Sequence, residues 1–397
     1  MPRRRLIGTL VAACLLAGGC LGGRAGPGTA PPPPLDTAPL VTTDGNRFVD
    51  RAGDTVVLRG ADVHTLDPRI YGWAGDLGMN FIRVTVPWSD YEPRPPANGR
   101  HTWNAHRLTE LDQLIAYCAA NRIQVLLDFH QYGWSPYFAH LQRGGHANGI
   151  PKWLYTGRRF PVTTAGLDAA QERFYTDRRA TALYADFAAM MAARYRKTPN
   201  VLGYEILNEP ATGGLGSSQL ATQRVVRWES RILAAIRAVD AERTVVFMLP
   251  GLITNPLAVD LTPFASLQHL ALDVHDYFAG TSATAGLGYP TTLQGGAYRG
   301  TAGGQAAYLA GPLAAVQTWN IPMIVGEWGA FNGEPGLAAY QRQMVELFDS
   351  HGVSWARWSL DNEQRLGLLT SDLTPTPAAR QLASLMEQPG APPASGG

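Results

Sequence analysis

Cysteine is scarce in this sequence, and charge of either sign is not in excess. Three cysteines occur in 397 residues, and Cys118 is the only one beyond residue 20, so no disulfide framework can form within the main body. Lys and Arg total 33 against 32 for Asp and Glu, which gives a net charge of +1. This balance argues against a nucleic-acid partner or an anionic membrane held by bulk charge.

Residues 1–20 are typical of an export signal. Arg3, Arg4 and Arg5 precede an apolar run over residues 6–17, which is too short to remain as a membrane-spanning helix. Residues 17–20, Ala-Gly-Gly-Cys, resemble the lipobox of bacterial lipoproteins, which would make Cys20 the lipid-carrying first residue of the mature chain. We therefore expect an exported protein, extracellular or at the cell surface, with a lipid anchor at Cys20.

Proline and glycine separate this signal from the rest of the chain. Residues 21–40 are rich in both and predict an extended linker, and residues 389–397 predict a flexible tail. No second linker, repeat or charge block interrupts the stretch between them. With 45% hydrophobic residues, the chain has ample material for a core, so residues 41–388 are predicted to form one domain.

Short apolar runs in this domain alternate with helical stripes, except after the fifth run, where only a short candidate helix lies near residues 263–267. The runs are residues 55–60, 81–86, 125–129, 201–207, 244–249, 270–274, 323–326 and 355–360. Eight strands alternating with helices predict an α/β fold, a parallel sheet closed into a (β/α)₈ TIM barrel. A doubly wound open sheet is the alternative, weakened because no Gly-x-Gly-x-x-Gly follows the first run.

Residues 41–54 predict a short hairpin ahead of the barrel. Phe48-Val49 and Val56-Val57 flank a turn that contains Gly53 and Asp54. We expect this hairpin to cover the floor of the barrel, away from the chemistry.

Polar residues end almost every apolar run. The fourth run leads to Asn208 and Glu209 before Pro210 stops the strand, and the seventh leads to Glu327. Barrel enzymes keep their catalytic residues at these C-terminal strand tips. Arg83 lies inside the second run, where a cation is costly unless it is paired. Carboxylates of the other strands are its expected partners.

Glu209 and Glu327 would face each other across the barrel mouth. Carboxyl groups ~5–5.5 Å apart fit double displacement at a sugar carbon, in which one attacks and the other protonates the leaving oxygen. Arg83 beside one of them would keep it ionised as the nucleophile. The alternative is that these residues form salt bridges only, which explains the charge pairing but not the accompanying His, Tyr and Trp residues.

The residues and their order resemble glycoside hydrolase family 5, the cellulase family of retaining β-glycosidases with a (β/α)₈ barrel. The resemblance covers the whole domain, from residues 58–60 (Leu-Arg-Gly) to Trp358. It implies that Glu209, in an Asn-Glu-Pro motif, is the acid/base and that Glu327 is the nucleophile. The other matching positions, implied to line or support the site, are Arg83, His130, Asn208, His275, Tyr277 and Trp358. No cofactor and no metal is implied.

The substrate is predicted less sharply than the reaction. Three further tryptophans, Trp88, Trp134 and Trp328, are candidate platforms for sugar rings. The segment after the third run, residues 131–177, is long and aromatic. Together with residues 201–210 it faintly resembles endoglycoceramidase-like members, although those usually carry a C-terminal β-sandwich not expected here. A carbohydrate partner is expected: β-glucan is ranked first on family frequency, with mannan and glycolipid as alternatives.

Two readings from other classes remain open. One is a metal-dependent barrel hydrolase, whose candidate ligands are Asp62, His64, His130, Asp273 and His275. The other is a non-catalytic surface protein that binds carbohydrate. A decayed site of that kind would be expected to lack one of the two glutamates, and both are present.

Overall fold

The computed structural model describes residues 37–387, apart from 143, 158–159, 217, 251–255, 278–301, 334–335 and 362–365. The predicted signal and tail, and most of the predicted linker, lie outside these residues, so those boundaries remain predictions. No helix within the described ranges has both the length and the apolar character that a membrane span requires.

A two-stranded antiparallel hairpin precedes the barrel, as expected. Strands β1 (Val41–Asp44) and β2 (Arg47–Asp50) pair around a turn at Gly45, which has a φ of +57°. The predicted turn at Gly53 also forms, and Val49 bridges Thr55 across it. The strands themselves lie one turn earlier in the chain than predicted, because the segment after Gly53 makes only a single bridge.

Eight parallel strands close into a barrel, which confirms the predicted fold. In chain order they are β3 (Arg59–Val63), β4 (Phe81–Thr85), β5 (Gln124–Asp128), β6 (Val201–Glu205), β7 (Thr244–Met248), β8 (Leu270–Asp276), β9 (Met323–Trp328) and β10 (Ser354–Arg357). Each strand pairs with the next, and β10 pairs with β3 to complete the ring.

Helices connect most of these strands, and one more follows the last strand. They are α1 (Pro68–Tyr71), α2 (Trp73–Asp76), α3 (Trp88–Tyr91), α4 (Ala105–Ala120), α5 (Thr164–Phe174), α6 (Arg178–Tyr195), α7 (Gln219–Arg237), α8 (Ala302–Trp319), α9 (Leu337–Ser350) and α10 (Pro377–Glu387). Side chains of Asn104, Asp177 and Ser218 cap three of the longer ones at their N-termini. The predicted helix-ending glycine, Gly352, follows α9 with a φ of +63°.

One predicted element differs from the structure. The first barrel strand begins at Arg59 and continues through Asp62, whereas the apolar run predicted residues 55–60. The difference arises because polar residues that face the barrel interior belong to the strand. The connection between β7 and β8 agrees with the prediction of a short helix only: its described residues contain two 3₁₀ helices, Pro256–Ala258 and Thr262–Phe264, and the second overlaps the candidate near residues 263–267.

The N-terminal end of the barrel is sealed by apolar side chains. Val41 and Phe48 of the hairpin pack against a ring of buried residues from the barrel. The ring, called the floor from here on, consists of Leu58, Phe81, Leu126, Leu202, Val246, Ala271, Ile324 and Ala356. The expectation that the hairpin covers this end is confirmed.

Candidate active site

Strand alternation turns the apolar floor into a polar mouth within a few residues. Alternate residues of a strand point to the same side, so Leu126, Asp128 and His130 face the interior in succession. Ala271, Asp273 and His275 repeat this order on β8. The interior therefore rises from an apolar floor through a layer of acids to histidines at the mouth.

Arg83 stands at the centre of the acid layer, with no exposed side-chain surface. Its guanidinium donates two hydrogen bonds to Glu205, Nε to Oε2 at 2.7 Å and Nη2 to Oε1 at 3.0 Å. Nη1 lies 2.9 Å from Asp62 Oδ1 and 3.1 Å from Asp128 Oδ2, and Nε lies 3.7 Å from Asp273. The predicted pairing of Arg83 with carboxylates of other strands is confirmed.

One guanidinium cannot neutralise four buried carboxyl groups, so the layer divides into ionised and protonated acids. Burial raises the pKa of Asp62 to about 7 despite the opposing charge of Arg83. Burial likewise raises the pKa of Glu205 well above its ordinary value, although Arg83 opposes the shift. Asp128 differs: burial acts to raise its pKa, but Arg83 and His130 outweigh it and the pKa is lowered.

Glu209 and Glu327 converge on His275 at the barrel mouth. Carboxylate oxygens of both lie within 4.8 Å of each other and of an imidazole nitrogen of His275. His275 Nδ1 lies 2.9 Å from Glu209 Oε1 and 3.5 Å from Glu327 Oε2. The side chain of Glu209 is 40% exposed and that of Glu327 only 6%, so a ligand can approach Glu209 far more freely.

Two donors hold Glu327 from below and from the side. Arg83 Nη1 donates to Oε1 at 3.2 Å, and the hydroxyl of Tyr277 donates to Oε2 at 2.8 Å. Both oxygens therefore accept hydrogen bonds, an arrangement that suits a carboxylate about to attack an electrophile.

The pKa shifts of Glu209, Glu327 and His275 favour a proton on Glu327 and on His275 and disfavour one on Glu209. Burial raises the pKa of Glu327 to about 8, with His275 and Arg83 opposing and Glu209 adding to the shift. For Glu209, burial acts to raise the pKa, but the hydrogen bond and charge of His275 outweigh it and the pKa falls below its ordinary value. The pKa of His275 is raised well above 6.5, because Glu327 and Asp273 outweigh its burial. This bias is the reverse of the one expected for a protonated Glu209.

The remaining predicted residues lie around these groups. His130 Nδ1 is 2.6 Å from Asp128 Oδ2, and the His130 ring stacks on Trp358 with centroids 5.6 Å apart. Asn208 accepts from Arg83 Nη2 at 2.7 Å through its Oδ1, which turns its amide NH₂ group away from Arg83. Half-buried Trp358 therefore lies beside His130 at the barrel mouth.

The three additional tryptophans are not sugar platforms, and that prediction is wrong. Trp88, Trp134 and Trp328 are each no more than 1% exposed. Trp88 donates its indole N–H to Glu92, and Trp134 donates to the hydroxyl of Tyr155. Trp328 follows Glu327 directly, so it points to the opposite side of β9, where it packs on Phe348 and Trp355.

Glu205 is the functional residue that the sequence reasoning missed. It stands in the apolar run 201–207, as Arg83 stands in its own run, and the two form a bidentate pair. A second charge inside a buried strand was the available signal, because an unpaired buried charge is too costly to persist.

The metal-dependent alternative loses support from the same geometry. Among the described residues, the groups close enough to hold a metal are Glu205 with Asp273 and His275, and Glu209 with His275 and Glu327. Asp62, His64 and His130, which that reading required, belong to neither group. Arg83 already supplies a positive charge within 3.7 Å of both acids of the first group.

A closed β/α barrel whose mouth presents two carboxyl groups this close, one accessible and one held by arginine and tyrosine, defines a retaining glycoside hydrolase. Comparison with known families agrees. The family model described as Cellulase (glycosyl hydrolase family 5) matches residues 60–364, and the chain belongs to this family. The predicted family and reaction class are confirmed.

Several relatives fall into two groups by name. An Endoglycoceramidase I of Rhodococcus hoagii (strain 103S) is 24% identical over 81% of this chain and 68% of its own length. An Endoglucanase of Paenibacillus polymyxa is 22% identical over 84% of this chain and 83% of its own length. A solved endogalactoceramidase structure superposes with a TM-score of 0.72 at 21% identity, covering 88% of this chain and 84% of that one. The structural likeness shows the shared fold.

Proposed function

We propose that the chain hydrolyses the β-glycosidic bond between a sugar chain and a lipid aglycone, with Glu327 as nucleophile and Glu209 as acid/base. The observation that carries the two roles is the pair of carboxylate oxygens within 4.8 Å of each other, one on an accessible and one on a hydrogen-bonded side chain. This separation suits double displacement, since inversion needs room for a water between the two groups.

In the first step, a Glu327 oxygen bonds to the anomeric carbon while the bond to the aglycone oxygen breaks. Glu209 gives that oxygen its proton. The hydrogen bond of 2.9 Å from His275 Nδ1 to Glu209 Oε1 provides a path by which Glu209 can be protonated before this step. In the second step, Glu209 takes a proton from water, whose oxygen bonds to the anomeric carbon and releases Glu327.

The role assignment is tested by chemical rescue and labelling. Glu209→Ala should lose ~10²–10⁴-fold activity on substrates with poor leaving groups and recover part of it with azide and a good leaving group. A fluorosugar probe should label Glu327 in the wild type. Label on any other carboxylate would overturn the assignment.

The lipid aglycone is supported by the relatives, because endoglycoceramidases occur both among the similar sequences and among the similar solved structures. A fluorescent glycosphingolipid in detergent micelles should release its intact oligosaccharide. The control is Glu327→Gln, which should release none. Failure of the wild type on glycosphingolipids, with turnover of soluble β-glucan, would overturn the lipid proposal and leave the glycosidase roles intact.

β-Glucan is the second candidate substrate. It ranked first from the sequence, and the Paenibacillus polymyxa endoglucanase supports it because the match spans 83% of that protein. Endo-cleavage of soluble β-glucan at a higher kcat/KM than any glycolipid would favour this candidate.

We also propose that the chain is exported and anchored through a lipid on Cys20. The support is the N-terminal pattern in the sequence, with its arginines, short apolar run and Cys20. A fatty-acid analogue should label the wild type when it is expressed in a bacterium. Cys20→Ala should abolish the label and move the protein out of the membrane fraction, and persistent labelling of this variant would contradict the proposal.

A further inference from the structure

We propose that Gln131 and Met248 form a backbone clamp that positions Glu209 for proton donation. Neither side chain is needed to touch the substrate, and the inference rests on the proposed acid role of Glu209. The clamp grips the peptide groups on both sides of Glu209, whereas His275 holds its carboxylate.

Glu209 needs such support because its backbone is left-handed. Its φ is +39°, a conformation that residues with a Cβ seldom adopt and that persists only where the surroundings enforce it. Without enforcement, the residue would relax toward negative φ and carry its carboxyl group away from His275 and Glu327.

Gln131 holds the carbonyl side of this peptide. Its Nε2 donates to the Glu209 carbonyl at 2.8 Å and to the Asn208 carbonyl at 3.3 Å. Its Oε1 accepts from the backbone N–H of Trp134 at 2.9 Å, which fixes the orientation of the amide. The Gln131 carbonyl accepts from Asn208 Nδ2 at 3.1 Å, so the two residues are joined in both directions.

The loop after β5 presses Gln131 into this position. Gly149 has a φ of +107°, and a Cβ on it would lie 2.5 Å from the Cβ of Gln131. Gly149 therefore allows a close approach that another residue would block. Gln131 itself is only 5% exposed.

Met248 holds the amide side. The backbone N–H of Glu209 donates to Met248 Sδ at 3.3 Å. Met248 is fixed in turn, since its own N–H donates to Oε1 of buried Glu229 at 3.4 Å. Burial raises the pKa of Glu229 well above its ordinary value, although the hydrogen bond from Met248 opposes the shift.

The test is the dependence of kcat/KM on the leaving group of aryl β-glycosides. Gln131→Met keeps the volume and removes the amide. Because a misplaced acid matters only when the leaving oxygen needs a proton, we expect ~30–100-fold loss with poor leaving groups and at most ~3-fold with a nitrophenolate. Met248→Leu, a tolerated core exchange that removes the sulfur acceptor, should show the same trend at ~3–10-fold.

The matched control is Gln341→Met. Gln341 is fully buried, and its Nε2 donates to the Ala378 carbonyl at 3.2 Å between α9 and α10, remote from the mouth. This variant should keep the wild-type leaving-group dependence. Equal losses for all leaving groups in Gln131→Met or Met248→Leu would overturn the clamp. If Gln131→Met does not fold, the leaving-group dependence of Met248→Leu decides alone.

Failure of the proposed function would look different. A wild type inactive toward every aryl β-glycoside would overturn both proposals. An active wild type with leaving-group-independent variants would overturn the clamp only.

Discussion

The floor and the mouth of this barrel are built on the same eight strands, but the inward side chains are apolar at the floor and charged or polar at the mouth. At the floor, inward side chains such as Phe81 and Leu126 are fully buried and apolar. Two residues further along the same strands stand Arg83 and Asp128, equally buried and charged. Burial at the floor favours folding, whereas burial at the mouth opposes it and shifts pKa values. Position along a strand thus separates residues that stabilise from residues that react.

The largest effects on activity and on stability should come from substituting one residue at the mouth and one at the floor. Glu327→Gln should lower kcat/KM by ~10⁴-fold or more and leave the fold intact, because it removes only the nucleophile. Phe81→Ala should cost ~3–5 kcal/mol of unfolding free energy and leave the activity of the folded fraction near wild type. Urea unfolding and kinetics on both variants test the separation, and equal effects on both measurements would break it.

Arg83→Met should lower both stability and activity. It leaves ionised Asp128 without its cation and removes the hydrogen-bond donors of Glu205 and Asp62, so we expect a loss of ~3–5 kcal/mol in unfolding free energy. It should also lower kcat strongly, since Glu327 loses one of its two donors. Arg83→Lys serves as the control that retains the charge. A stable and active Arg83→Met would show that the acid layer does not depend on this residue.

Tyr277→Phe should give a smaller, purely kinetic effect. It removes the hydroxyl that donates to Glu327 at 2.8 Å, and we expect kcat to fall by ~10–100-fold. The melting temperature should change little because the ring remains. An unchanged kcat would indicate that Arg83 alone suffices to hold the nucleophile.

The pH dependence sharpens the comparison further. Double displacement needs one proton on the Glu209–Glu327 pair, carried by Glu209 while ionised Glu327 attacks, and His275, 2.9 Å from Glu209 and 3.5 Å from Glu327, can relay this proton between them. The pair loses its proton as pH rises through about 8, the pKa of Glu327, and no acid then remains for the leaving group, so kcat/KM should fall there. The test is a profile of kcat/KM from pH 5 to 10. Activity that continues to rise above pH 9 would contradict the proton's role in the reaction.

The last prediction concerns the pH dependence of stability. The pKa of Asp62 is raised from 3.8 to about 7 on folding, so the native state binds a proton that the unfolded chain releases between these values. This contribution to stability is complete below pH 3.8 and is lost as pH rises through 7. Asp62→Asn should therefore flatten the decline of unfolding free energy between pH 4 and 7, whereas a variant of the floor should leave the slope unchanged.

The sequence predicted which residues stand at the strand ends. It failed to predict which way the side chains of the three candidate tryptophans point. The barrel, Glu209, Glu327 and the need to pair Arg83 all followed from runs and their ends. Trp328 could have been excluded from the sequence, because neighbours on a strand point oppositely and Glu327 had been placed inside. Trp88 and Trp134 could not, since their burial depends on contacts between segments distant in sequence.

The left-handed backbone at Glu209 was also beyond prediction. No glycine marks the position, and the conformation depends on Gln131 from one strand end and Met248 from another. The connection between β7 and β8, by contrast, was predicted to hold only a short helix, and its described residues contain two 3₁₀ helices.

The sealed floor of the barrel bears on the order in which the aglycone leaves and water arrives. Val41 and Phe48 pack against the apolar floor, and buried side chains of the floor and the acid layer fill the barrel below the two glutamates, so substrate and water approach Glu209 from the mouth. In the two-step reaction, the departing aglycone and the incoming water use the same side of the sugar, next to Glu209. The aglycone must leave this side before water can attack the anomeric carbon from it, because the retaining mechanism delivers water to the side that the aglycone occupied.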